Sequence, residues 1–254
     1  MFKEIDYNKH FVIGTPLVGW KVDRKEHMAW LQNKDEIISK FPNVKFFASF
    51  ELDHRGIEVF QEVIDCLKIV NGDFWTYTIN DMEEVVSSGN RWIRIETGRN
   101  LIREFSQRHR KMSGHHWGED CAEQNYGIVN YEAILYVDSD TYVDSNIIEK
   151  MFEIDHPVVS VNVPAYGLTG KVVNESPRIE EHWNTAGMLL VNSPAFYDLP
   201  WSHNAMLNLS DDPTFQYHAD RLGYGQTWVR KDVQANHMGQ LVAVENRNIP
   251  KRII

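Results

Sequence analysis

Short runs of apolar residues recur along the chain, with turn-forming residues at their ends and longer amphipathic stretches between them. A short apolar run bounded by turns is typical of a buried strand. Alternation of such runs with helical stretches favours a parallel sheet, because parallel strands need a crossover connection. The pattern predicts an α/β fold with a mostly parallel central sheet flanked by helices, with strands at residues 11–13, 44–50, 74–79, 133–137 and 158–163.

Two of the intervening stretches have the periodicity of a helix with one buried face. Residues 56–70 place apolar side chains three and four positions apart, and residues 97–110 do the same with arginines on another face. Residues 114–130 lose this periodicity and are rich in histidine, glycine and acids, which predicts a long irregular loop. Loops of this length in a compact domain are commonly functional.

Length and composition fit one compact domain. The chain has 254 residues, of which 43% are hydrophobic, and it shows neither a linker nor an internal repeat. It contains no stretch of about 18 apolar residues and no basic-then-apolar leader, so we expect neither a membrane span nor a secretion signal. The two cysteines, Cys66 and Cys121, are too few for a disulfide framework, which favours a reducing, cytoplasmic location.

Candidate binding residues follow several of the predicted strands. In an open parallel sheet, ligands bind beyond the carboxyl ends of the strands. Thr15 and Pro16 follow the first run, Glu51 and Asp53 follow the second, and Asp138 and Asp140 follow the fourth. The last two are the strongest signal, because carboxylates separated by one residue can both reach one hard divalent cation. The alternative is an acidic surface turn, since Asp and Ser are common turn residues.

Three segments stand in an informative order and spacing: YEAILYVDSDTYVDSNIIEKM, NTAGMLLVNSPAF and SDDPTFQYHADRLGYGQTWVRKDVQANHMG. The first resembles the Asp-x-Asp region of GT-A-fold glycosyltransferases and of the fungal mannosyltransferase group within that fold. The other two resemble later segments of the same family. The resemblance covers residues 98–239, whereas the first ninety residues match only in their strand pattern. It implies one GT-A-like, Rossmann-like domain over residues 1–254, with a nucleotide-sugar-binding half at 1–140 and an acceptor-binding half at 141–254.

By this resemblance, Asp140 is the principal ligand of a Mn²⁺ or Mg²⁺ ion, Asp138 contacts the metal or the ribose, and His237 completes the metal shell. The alternative for His237 is a loop histidine bonded to backbone. The chain departs from the family at Asp211 and Asp212, where the usual pair is Glu-Asp. We expect the catalytic base to be in this acid pair, with Asp212 and an inverting reaction favoured. The alternative is that both acids cap the helix that follows them.

Further groups are expected to hold the nucleotide sugar. Arg99 and Asn100 open the second predicted helix, where the family often has an Arg or Asn, and outward-pointing amide groups there would bind the diphosphate. Thr15, Pro16 and Asp53 lie where such folds hold the nucleobase and ribose. An acid or a carbonyl there can accept the N3–H of uracil, which favours a UDP-sugar, with GDP as the alternative. Solvated helix and turn residues are the structural alternative for Arg99, Asn100 and Asp53.

A basic stretch in an otherwise acidic chain bears on the acceptor. Residues 91–111 contain seven Lys or Arg against two Glu, whereas the formal net charge of the chain is −10. Beside the site, such a stretch would bind a polyanion such as DNA, and the chain could then resemble the phage enzymes that modify hydroxymethylated pyrimidines inside a bacterial cell. The alternative acceptor is a saccharide, a lipid-linked group or a protein. The structural alternative is a solvated helix face.

Two other classes of protein are weighed against a glycosyltransferase. A non-catalytic sugar-nucleotide or glycan-binding module would need no base, so the second acid pair argues against it. A metal-dependent nuclease would need more clustered acids and basic catalytic partners than the sequence displays.

Overall fold

The computed structural model describes residues 2–18, 25–52, 56–79, 89–111, 130–162, 187–202, 211–225 and 227–237. The strands are β1 (Phe11–Leu17), β2 (Val44–Glu51), β3 (Asp73–Tyr77), β4 (Ala133–Val137), β5 (Thr141–Tyr142), β6 (Val158–Asn162), β7 (Met188–Asn192), β8 (Trp228–Gln234) and β9 (Asn236–His237). The α-helices are α1 (Lys34–Lys40), α2 (Gln61–Ile69), α3 (Gly89–Lys111), α4 (Ser145–Phe152), α5 (Ala195–Asp198) and α6 (Asp211–Arg221). Short 3₁₀ helices cover Lys25–Leu31 and Ile57–Phe60.

Seven strands form one sheet in the order β3-β2-β1-β4-β7-β6-β8. The pairs β1–β2, β1–β4, β2–β3 and β6–β8 are parallel, whereas β7 runs antiparallel to both of its neighbours. Six of the seven strands therefore share one direction. The predicted α/β fold with a mostly parallel central sheet flanked by helices is confirmed. Strands β5 and β9 form a separate two-stranded ladder.

The alternation of side chains along the strands divides the core into two apolar layers. On β1, Phe11 and Ile13 face one layer and Val12 faces the other. The first layer receives apolar side chains from α1, α2 and α4, and the second receives them from α3, α5 and α6. Because helices cover both faces, the edge where the parallel strands end is the place for polar chemistry. None of the described helices is long and apolar enough to span a membrane.

Two elements are longer than the sequence pattern predicts, and both differences change the surroundings of candidate residues. Strand β1 continues to Leu17, so Thr15 and Pro16 lie within the strand rather than after it. Helix α3 begins at Gly89, so Arg99 and Asn100 lie inside it, and the expectation that they open a helix is wrong. Their amide groups belong to the helical hydrogen-bond ladder, so only their side chains remain to make contacts. The early turns of α3 begin with Gly89 and Asn90, which disfavour a helix, and their apolar residues lie on more than one face, which is why the pattern misses them.

Other boundaries also differ from the prediction. The predicted helix at 56–70 is a 3₁₀ turn followed by α2. The apolar runs in the sequence do not predict strands β7, β8 and β9. Most of the predicted 114–130 loop lies outside the described residues.

Candidate functional site

The site is centred on the turn that follows β4. The backbone N–H of Asp138 donates to the carbonyl of Gly187 at 3.0 Å, and the N–H of Thr141 donates to the carbonyl of Asp138 at 2.9 Å. The chain between these bonds carries Asp138 and Asp140 away from the end of a buried strand. The Asp138 side chain is 30% exposed and Asp140 is buried, so the two acids differ in their access to solvent.

Helix α3 reaches this turn because two glycines let it lie close to the sheet. A Cβ on Gly14 of β1 would be 2.2 Å from Cγ2 of Ile102, and a Cβ on Gly98 would be 2.8 Å from Pro16 Cβ and from Ser49 Oγ. A larger residue at either position would push the helix away from the strands. The close contact brings the residue after Gly98, which is Arg99, to the carboxyl edge of the sheet.

Arg99 joins one acid of the Asp138–Asp140 pair to one acid of the Asp211–Asp212 pair. Its Nη2 lies 3.2 Å from Oδ1 of Asp138, and its Nη1 lies 2.6 Å from Oδ1 of Asp212 at the start of α6. The arginine side chain is 4% exposed and that of Asp212 is 17% exposed. Charge-assisted hydrogen bonds in such a buried setting are stronger than surface ion pairs. The guanidinium therefore holds Asp138 and Asp212 in one cluster.

A buried aromatic group holds the guanidinium in place. The Arg99 guanidinium carbon lies 4.3 Å from the ring centroid of Trp201, which in turn stacks on Phe215 at 4.3 Å. The Asn100 side chain donates to the carbonyl of Trp201 at 2.8 Å and accepts from its N–H at 3.0 Å. Burial raises the pKa of the neighbouring Tyr136 to about 12, so its hydroxyl stays protonated at neutral pH. Asn100 thus fixes Trp201, and Trp201 fixes Arg99.

The structure describes part of the predicted metal site. Strand β5 pairs with β9 so that Thr141 lies opposite His237, which brings the backbone of His237 beside the acid turn. Carboxylate oxygens are the ligands that Mg²⁺ and Mn²⁺ prefer, so Asp138 and Asp140 fit such an ion. Among the described side chains, which do not include that of His237, no group of three or more His, Cys, Asp or Glu is arranged to hold a metal. The third ligand stays a prediction.

The remaining predicted residues have varied surroundings. The Thr15 hydroxyl is buried and donates to the carbonyl of Val137 at 2.9 Å, so it ties the end of β1 to the end of β4. Pro16 packs against Gly98 of α3, where a Cβ on the glycine would lie 2.8 Å from Pro16 Cβ. Asp53 lies outside the described residues. Asp211 is the first residue of α6, and its side chain also lies outside the described part.

A second ion pair lies near the same edge and joins Glu51, which the sequence indicates by its place after the second apolar run, to Arg94. The Glu51 carboxylate, buried at the end of β2, accepts from the Arg94 guanidinium. The hydroxyl of Tyr77 donates to the carbonyl of Arg94 at 2.8 Å, and burial raises the pKa of this tyrosine. An acid that ends an apolar run is the only sequence signal for Glu51, and nothing in the sequence indicates Arg94 as its partner.

The basic stretch does not form one exposed face in the part that the structure describes. Arg94 binds Glu51, Arg99 binds the two aspartates, and Arg103 donates to the carbonyl of Tyr197 at 3.3 Å. The charges of Arg94 and Arg99 are therefore compensated by acids inside the protein, whereas the carbonyl contact leaves the charge of Arg103 in place. The phosphate-binding surface stays a prediction. The side chains of Arg91, Arg108, Arg110 and Lys111 lie outside the described residues.

No protein-family model and no curated protein matches the chain. Similar solved structures include TarS 1-349 from S. aureus, at 14% identity over 96% of this chain and 67% of that one, with a TM-score of 0.46. The mannosyltransferase PcManGT from Pyrobaculum calidifontis, in complex with GDP-Man and Mn²⁺, has 9% identity over 92% of this chain and 58% of that one, with a TM-score of 0.48. The inositol-1-phosphate CTP transferase from T. maritima has 11% identity over 91% and 89%, with a TM-score of 0.45. These likenesses concern the general fold and say nothing about chemistry.

Proposed function

We propose that the protein is a metal-dependent glycosyltransferase that moves a sugar from a nucleotide-diphosphate sugar to an acceptor hydroxyl. One observation carries the proposal: Arg99 joins Asp138 to Asp212 at the carboxyl edge of a mostly parallel sheet. Sugar transfer needs positive charge for a departing diphosphate and a base for an attacking hydroxyl. A cluster that holds a cation-binding acid beside a second acid can meet both needs.

The residues divide the chemistry between them. Asp138 and Asp140 would hold Mn²⁺ or Mg²⁺, which neutralises the diphosphate as it leaves. Asp212 accepts the proton of the acceptor hydroxyl as its oxygen bonds to the anomeric carbon. Arg99 orients the Asp212 carboxylate, and the stack of Trp201 on Phe215 excludes water from the far side of the guanidinium. A base that acts from the face opposite the leaving group gives inversion of configuration at the anomeric carbon.

A UDP-sugar is the favoured donor, with GDP as the alternative. Thr15 and Pro16 lie near the carboxyl end of β1, beside the acid turn, where a nucleobase and ribose would be bound. The role of Asp53 in accepting the N3–H of uracil rests on its place in the sequence after β2.

The acceptor is either a hydroxymethylated pyrimidine of DNA or a saccharide, lipid-linked or protein hydroxyl. The ion pairs of Arg94 and Arg99 remove two cations from the DNA interpretation. A transfer assay with a panel of nucleotide sugars and each acceptor class, analysed by mass shift, identifies donor and acceptor together.

The test of the base is Asp212→Asn, with Asp220→Asn on the same helix as the control, because Asp220 is exposed. We expect the turnover of Asp212→Asn to fall about a hundredfold or more while its donor Kd changes little, as expected when a general base is removed. Asp220→Asn should match the wild type. Steady-state kinetics and donor titrations measure both quantities.

Two outcomes would contradict this assignment. Equal turnover of Asp212→Asn and the wild type would make the residue a helix cap only, and a larger loss in Asp211→Asn would move the base to Asp211. Retention of the donor's anomeric configuration in the product, measured by NMR, would exclude the inverting reaction.

A further inference from the structure

Arg99 contacts its two carboxylates unequally. The distance from Nη1 to Asp212 is 2.6 Å, whereas the distance from Nη2 to Asp138 is 3.2 Å. The Asp138 side chain is 30% exposed, against 17% for Asp212. The shorter and more buried contact anchors the guanidinium, while the longer contact is with the carboxylate that solvent ions can reach. Asp138 is therefore the partner that can be exchanged.

The guanidinium cannot easily move away from this position. Its side chain is 4% exposed, and its central carbon lies 4.3 Å from the ring centroid of Trp201. The Asn100 amide holds the backbone of Trp201 at both its carbonyl and its N–H. A positive charge fixed in this way acts on any second cation that comes to Asp138, and partial burial weakens the screening of that repulsion by water and salt.

The formal charges of the site give the direction in which Arg99 changes the affinity for a cation. Asp138, Asp140 and Asp212 together carry −3, and Arg99 reduces this to −2. Less negative charge means weaker binding of a divalent cation on its own. A bound diphosphate adds negative charge, and both the cation and the guanidinium then attract it.

Resting on the proposed function, we infer that Arg99 is a positioning residue that shifts the affinity for the cation and the affinity for the donor diphosphate in opposite directions. It lowers the affinity of the empty site for the ion and raises the affinity of the ion-loaded site for the nucleotide. The free cation consequently occupies the empty site only weakly, while Asp212 stays held for the acceptor.

The experiment measures binding rather than turnover. Mn²⁺ is titrated alone by electron paramagnetic resonance, and UDP is titrated at saturating Mn²⁺ by calorimetry, in the wild type and in Arg99→Gln. We expect Arg99→Gln to bind Mn²⁺ about tenfold more tightly and UDP about tenfold more weakly. The matched control is Arg103→Gln, one turn further along α3, where the arginine contacts a carbonyl rather than the acids. Both of its affinities should stay within about twofold of the wild type.

Opposite changes in the affinities for Mn²⁺ and UDP distinguish this inference from a structural role, because a structural defect would weaken the binding of both ligands. Weakening of both, or no change in either, overturns it. If Arg99→Gln does not fold by circular dichroism, Arg99→Lys, which keeps the charge but not the two-pronged contact, should give smaller changes with the same opposite signs. Changes of equal sign in that variant also overturn the inference. GDP replaces UDP in every titration if the wild type binds only GDP. Loss of Mn²⁺-dependent nucleotide binding in Asp140→Asn supports the proposed function separately, and wild-type protein that binds neither UDP nor GDP with Mn²⁺ contradicts the function itself.

Discussion

At the scale of single residues, the site depends on how Arg99 is held. An arginine side chain has many rotamers, and fixing one of them costs conformational entropy unless neighbours restrict it. The ring of Trp201 supplies a flat surface for the guanidinium, and the Asn100 amide fixes Trp201 through two backbone hydrogen bonds. Asn100, predicted as a donor contact, therefore also has a structural task, because both ends of its amide are hydrogen-bonded to Trp201.

We expect Asn100→Ala to lower the free energy of unfolding by about 2 kcal/mol, because it removes two part-buried hydrogen bonds and leaves backbone groups of Trp201 without these partners. Gln107→Ala is the control, since Gln107 makes one such bond, to the carbonyl of Tyr197 at 3.1 Å. That carbonyl also accepts from Arg103, so the control should lose about 1 kcal/mol or less. Urea denaturation measures both values. Equal losses in the free energy of unfolding would show that the two hydrogen bonds of Asn100 stabilise the protein no more than the single bond of Gln107.

At the scale of elements, the contact between α3 and the sheet decides where the site residues lie. Gly98 is in the interior of the helix, where glycine is less favourable than alanine by about 1 kcal/mol. Its presence is explained by the space it leaves, because Pro16 and Ser49 occupy the position that a Cβ would take. Gly98 therefore makes the helix less stable but allows it to lie closer to β1 and β2.

Gly98→Ala tests this explanation because helix propensity and packing predict opposite signs. Propensity alone would raise the melting temperature, whereas a Cβ 2.8 Å from Pro16 and Ser49 forces α3 away from the strands. We expect net destabilisation of about 1–3 kcal/mol, in the range of other overpacked cores. Binding of UDP with Mn²⁺ should weaken as well, since Arg99 follows directly. A variant that is more stable than the wild type would disprove the close-contact explanation.

The elements also show what the sequence could and could not predict. Local apolar runs indicate β2 and β4 well, because burial on both faces of a central strand leaves a continuous run. The start of α3 is missed because Gly89 and Asn90 disfavour a helix and the apolar residues that follow lie on more than one face, and β7 cannot be given a direction from its own residues. The place of Asp138 after an apolar run and the family resemblance indicate it as a site residue, and the resemblance indicates Asp212. Their connection through Arg99 could not be predicted, since Arg99 and Asp212 are 113 residues apart and only the fold brings them together.

At the scale of the whole molecule, the distribution of charge bears on the acceptor. The chain has a formal net charge of −10. Two arginines of the basic stretch, Arg94 and Arg99, are paired with acids inside the protein, so they add little to a surface that would attract DNA. The long-range field of such a chain repels polyanions unless a local patch outweighs it.

We expect acceptor affinity to change less than about threefold between roughly 50 and 200 mM salt, because binding without phosphate contacts releases few counterions. Transfer assays over that range, with the donor saturating, measure it. A fall of about tenfold or more would support the DNA acceptor and would assign phosphate contacts to Arg108, Arg110 and Lys111. Arg108→Glu with Arg110→Glu would then weaken DNA binding and leave donor affinity intact.

The contacts that complete the site run between early and late parts of the chain. The N–H of Asp138 is bonded to Gly187, Asn100 to Trp201 and Arg99 to Asp212. During synthesis on a ribosome, the first 140 residues emerge before any of these partners exists. A nascent chain of that length lacks the groups that hold the acid turn and the guanidinium. The cluster of Arg99, Asp138 and Asp212 can therefore form only late in translation, after residue 212 has left the exit tunnel, and under the proposed function donor binding begins only then.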